Sequence, residues 1–135
     1  LSANIREDKG YTYGIYSYLM NLVITSSWII STEAGKEVSQ ATIDEVYKEM
    51  ELLREEEVDE EELQMVKNFM IGSILGDLDG PFHVIGRWKN LVLNGQEPDY
   101  FQKSLDTIRT VGAPELKELA NKYLLPSDFY ELVVV

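Results

Sequence analysis

The chain has 135 residues, 44% of them hydrophobic, enough for one domain with a sizeable core. A formal net charge of −12 excludes the basic face that a nucleic-acid or anionic-membrane partner requires. No cysteine is present, which excludes disulfides and thiolate zinc sites and leaves the compartment unassigned.

No targeting segment is visible at the start, where Leu1-Ser2-Ala3-Asn4 leads directly into charged residues. The longest apolar stretch, residues 15–30, is interrupted by Ser17, Asn21, Thr25, Ser26 and Ser27. It also falls short of the ~20 residues a membrane-spanning helix needs. A soluble domain with no membrane partner is expected.

Asn4 to Asp8 reads as the tail of a helix, with Lys9 in the last turn and Gly10 as its left-handed stop. From Tyr11 the aromatic and β-branched residues predict a strand to about residue 19. Tyr11, Tyr13, Ile15, Ser17 and Leu19 share one face; Thr12, Gly14, Tyr16, Tyr18 and Met20 share the other. Both faces are apolar or aromatic, which predicts an interior strand. A turn at Met20-Asn21 and a second strand over 22–32 complete an antiparallel hairpin.

A helix is predicted from about residue 37, with Ile43, Val46, Tyr47, Met50 and Leu53 as its apolar stripe. Residues 55–62 hold seven acids in eight positions. Asp59 with Glu62 fits a capping box at the positive end of the next helix, and acids with no nearby His make a poor zinc site. That helix, residues 60–78, uses Leu63, Val66, Met70, Ile74 and Leu78. Gly72 and Gly76 inside it cost roughly 1 kcal/mol each against Ala, so close approach of another element along that face is expected.

Gly80-Pro81 starts a further helix whose buried side is predicted to be Phe82, Ile85, Trp88 and Leu91. His83, the only histidine, reads as a surface residue at the helix start. Gly95 ends this helix. Pro98 opens the next, through Phe101, Leu105 and Ile108, and Leu116, Leu119, Ala120 and Tyr123 mark the last. Residues 129–135 read as a closing strand. The chain shows no internal repeat and no linker.

Arg6-Glu7-x-Lys9-Gly10-x-x-Tyr13 resembles the Arg-Glu-x-Lys-Gly-x-x-Tyr segment of the pitrilysin, insulin-degrading enzyme and mitochondrial processing peptidase family. Glu61-Glu62-Leu63…Lys67 resembles that family's Glu-Glu-Leu-x-x-x-Lys helix start. Leu116-x-x-Leu119-Ala120-x-x-Tyr123-Leu124 and the Val-rich close also sit where the family has them. The resemblance covers nearly the whole chain. It implies the later, non-zinc-binding half of an inverted zincin, with Arg6 and Tyr13 as a substrate-binding pair facing a zinc site carried elsewhere.

Three strands are few for this many helices, and an interior strand needs a neighbour on each edge. Residues 1–135 are therefore expected to be a single partial domain, the C-terminal portion of a peptidase-like domain whose N-terminal part is missing. Open strand edges would favour self-association.

The family's His-x-x-Glu-His zinc signature needs two histidines, and a Ser/His/acid triad would have to use His83, around which no motif exists. Gly72-x-x-x-Gly76 lacks the Lys-Ser/Thr ending of a phosphate loop. Catalytic residues, metal ligands and a cofactor are thus not expected in this chain, while zinc is expected in a partner domain or subunit.

The expected fold is α+β: a mixed or antiparallel sheet with helices on one face, of the inverted-zincin, processing-peptidase-like kind. The expected function is to hold a peptide substrate opposite zinc. The alternative is a structural core subunit of the same fold. By residue type alone, the favoured reading is Arg6 as a cap for a helix C-terminus and Tyr13 as a core residue with one hydrogen bond, and the motif match turns it to substrate contact.

Overall fold

The computed structural model describes residues 1–22 and 24–134, so Val23 and Val135 lie outside the described residues. The chain opens with a helical turn, Ser2–Asp8, wound wider than an α-helix: the Lys9 amide donates five residues back to Asn4 at 3.0 Å. Gly10 follows at φ 63°, the left-handed stop expected there. Tyr11 then donates back to the Ile5 carbonyl at 3.0 Å, and Ile5 is fully buried.

Strand β1 (Thr12–Asn21) pairs antiparallel with β2 (Ser26–Ala34). The turn lies later than the sequence suggests. Asn21 pairs with Ser26, and the Leu22 amide donates to the Thr25 carbonyl at 2.9 Å. Strand β2 therefore begins four residues after the predicted start at residue 22. Between Thr12↔Ala34 and Ile15↔Thr32 the register slips, so Tyr13 and Gly14 together face Glu33 across a β-bulge. Strict alternation of faces thus fails at Tyr13.

Helix α1 (Ser39–Glu55) follows a short turn at Lys36–Val38, then come α2 (Glu60–Gly76), α3 (Pro81–Leu93), α4 (Tyr100–Thr110) and α5 (Ala113–Tyr123). Two compact units result: residues 1–56 with 118–135, and residues 57–117. In the first, Met50 of α1 packs with Ala120 and Leu124. Ile30 of β2, Val46, Tyr47 and Phe129 close around them, which puts helices on one face of the hairpin. On the other face Tyr16, Tyr18 and Met20 stay exposed. This is an α+β arrangement, antiparallel among the described residues.

In the second unit Asp59 caps α2, its carboxylate accepting from the Glu61 and Glu62 amides at 2.9 and 3.2 Å. Leu63, Leu91 and Leu105 are its buried leucines. Lys67 is also buried, and its ammonium donates to the Arg109 carbonyl in the last turn of α4.

Three expectations fail. Phe82, Ile85 and Trp88 of α3 are exposed, and only Leu91 of that stripe is buried. Open space, not another element, lies beside Gly72 and Gly76. Residues 129–134 form no strand ladder, and Leu132 and Val134 are exposed. The apolar stripe of α3 and the Val-rich tail are thus left uncovered by the described residues, and the glycine spacing in α2 marks no close approach among them.

Candidate substrate-binding site

The site is built at the joint between the opening helical turn and the hairpin. Arg6 is the basic residue in the last turn of that helix. Four residues later Gly10 reverses the chain, because its positive φ is costly for any residue with a Cβ. The strand that follows carries Tyr11, Thr12 and Tyr13 past the turn. Arg6, Gly10, Tyr11, Thr12, Tyr13, Glu33, Ala34 and Gly35 together line one cavity of about 520 Å³. Sequence spacing placed Arg6 and Tyr13 on either side of a tight turn, and the fold brings both to the same cavity.

The helical turn is anchored by its polar side chains. Asn4 Nδ2 donates to Glu45 Oε2 at 3.1 Å and to Glu49 Oε1 at 2.7 Å, both on α1. Lys9 Nζ lies 3.5 Å from Glu45 Oε1, and Lys48 Nζ donates to the same oxygen at 2.7 Å. Hydrogen bonds from Lys48 and Asn4 hold the Glu45 carboxyl down at about 2. These contacts fix the helix that presents Arg6.

Exposure and partners bear on the readings by residue type. Tyr13 is 100% exposed, so it is no core residue. Arg6 is exposed as well, and its guanidinium caps no carbonyl among the described residues. Neither Arg6 nor Glu33 takes part in an ion pair among those residues. The residues lining the cavity thus include an arginine, a tyrosine and a glutamate whose side chains have no hydrogen-bond or ion-pair partner among the described residues.

Two participants were not foreseen. Glu33 joins the lining because the bulge sets it opposite Tyr13-Gly14. Thr12 is buried at 8% exposure, with its hydroxyl inside the bulge. A glycine within a strand pattern, Gly14, was the available signal for a bulge. His83 is exposed on α3, its Nδ1 2.7 Å from the Asp79 carbonyl oxygen. Among the described residues no three His, Asp or Glu side chains converge on a metal position, so the donor set does not fit zinc.

Two solved structures share this fold. One is a peptidase M16 inactive domain from Pseudomonas fluorescens, at 21% identity and TM-score 0.77, covering 89% of this chain and 28% of that one. The other is a protease from Helicobacter pylori, at 16% identity and TM-score 0.82, covering 93% of this chain and 30% of that one. The chain therefore spans less than a third of the length of either. No curated protein matches it. The family model described as the peptidase M16 inactive domain matches residues 1–70, which include the helical turn, the hairpin and Arg6 and Tyr13. This chain belongs to the peptidase M16 inactive domain family.

Proposed function

We propose that this chain holds peptide substrates for a zinc-dependent endopeptidase, opposite a zinc site carried by another domain or subunit. The observation that carries the reading is that Arg6 and Tyr13 line one cavity, neither side chain having a hydrogen-bond or ion-pair partner among the described residues. A guanidinium offers five N–H donors to backbone carbonyls or a carboxylate, and a phenol offers one O–H. Directed at a peptide carbonyl next to the scissile bond, such donors strengthen their bonds as charge develops on its oxygen.

The exposure of Tyr13 favours this reading over a scaffold. A fully exposed ring contributes almost nothing to burial, so its place in the strand is not accounted for by the core. The chain would supply binding donors, and its partner the metal and the water.

Binding of a fluorescein-labelled oxidised insulin B chain, followed by anisotropy, tests the proposal. Losing a charged hydrogen bond costs about 1.5–3 kcal/mol, so Arg6→Ala should weaken binding by about 10- to 100-fold. Tyr13→Phe, which removes one neutral bond, should weaken it by about tenfold or less. Equal affinity of wild type and both variants would defeat the reading.

A further inference from the structure

We propose that Thr12 is the positioning residue of this site: its hydroxyl pins the β-bulge that turns Tyr13 out into the cavity. The inference rests on the peptide-binding reading above and assigns a role to a residue that touches no ligand in it.

A bulge sets two residues against one and leaves polar groups of the backbone without ladder partners. Here Tyr13 and Gly14 stand against Glu33. The Thr12 hydroxyl supplies the missing partners. It lies 2.7 Å from the Glu33 carbonyl oxygen and 2.9 Å from that of Gly14, and it accepts from the Gly14 amide at 3.1 Å. The Thr32 hydroxyl reaches Thr12 Oγ1 at 2.8 Å and the Gly14 carbonyl at 2.9 Å.

Each hydroxyl has one proton, and one assignment satisfies the set. Thr12 donates to Glu33, its shorter contact, and accepts from Gly14. Thr32 then donates to the Gly14 carbonyl. Both strands are thereby tied at the one point where their ladder slips. Thr12 is buried at 8% exposure, so its hydroxyl meets these backbone groups largely away from bulk water.

The consequence falls on Tyr13. In a regular ladder each residue takes the face opposite to its neighbours, so removing the bulge would shift Tyr13 relative to β2. With the bulge in place Tyr13 lines the cavity and its side chain is fully exposed. A bulge commonly re-aims one side chain, and here that side chain is the phenol of the proposed clamp.

A double-mutant cycle separates positioning from mere stability. The anisotropy titration with labelled oxidised insulin B chain is run on wild type, Thr12→Val, Thr12→Ser, Tyr13→Phe and the Thr12→Val/Tyr13→Phe pair, with thermal unfolding in parallel. If Thr12 acts through Tyr13, Thr12→Val weakens binding by about the same factor as Tyr13→Phe. The pair then binds no worse than Tyr13→Phe alone, and Thr12→Ser restores wild-type affinity. Independent losses that multiply in the pair, or a silent Thr12→Val, overturn the inference while the clamp reading stands. A silent Tyr13→Phe, or a wild type that does not bind the peptide, overturns both. Should Thr12→Val not fold, Thr32→Val removes the second hydroxyl and enters the same cycle under the same criteria.

Discussion

Arg6 and Tyr13 do nothing visible for the stability of this chain, and that is informative. A fully exposed Tyr13 predicts that Tyr13→Phe leaves the melting temperature unchanged in a thermal scan, even where peptide binding falls. Thr12 is the opposite case. Buried and bonded to both strands, it should lower the melting temperature when replaced by Val, because the Gly14 amide and Glu33 carbonyl lose their partner. That Arg6 and Tyr13 flank one turn is legible in the sequence, since a helix stop at Gly10 fixes which residues lie on either side of it; their pairing as a binding site is implied only by the family resemblance. Thr12 and Glu33 are not legible there. Their roles depend on a one-residue slip between strands that lie about twenty positions apart, and no local pattern encodes the pairing.

At the level of elements, the helical turn carrying Arg6 is only as firm as its attachment to α1. Glu45 and Glu49 make that attachment, and the Glu45 carboxyl is lowered from an ordinary 4.5 to about 2. A carboxyl lowered in the folded state contributes stability above its unfolded value and loses it as pH falls toward the folded one. Urea midpoints should therefore drop between about pH 4.5 and 2, and Glu45→Gln should flatten that dependence. An unchanged slope in the variant would remove Glu45 from the account. In the second unit, Asp59→Ala should cost about 1 kcal/mol through loss of the α2 cap, read as a lower urea midpoint.

The cap, the helix stops at Gly10 and Gly95 and the positions of the five helices could all be read from sequence, because each depends on neighbours within one turn. The hairpin turn was placed too early because Met20-Asn21 carries the turn-like residue, while pairing of Asn21 with Ser26 carries the strand onward. The closing strand is expected from β-propensity and from the Val-rich close of the family resemblance. Leu132, Val133 and Val134 have that propensity, but no described strand pairs with them.

Over the whole molecule, the recurrent discrepancy is apolar surface left open. In the first unit Leu19, Ile24 and Leu132 are exposed; in the second, Phe69, Phe82 and Ile85 are. Exposed apolar patches of this kind mark surfaces that associate. The isolated chain should therefore show a weight-average mass that rises with concentration in sedimentation equilibrium, in spite of its charge of −12. A mass constant at the monomer value would show that these residues do not drive association. The central claim remains the clamp. Its most direct test is peptide turnover by the proposed zinc peptidase assembly that includes this chain, measured beside zinc content for wild type and Arg6→Ala. Turnover lowered by about 10- to 100-fold at unchanged zinc content is the predicted result. Turnover equal to wild type at unchanged zinc content would contradict it.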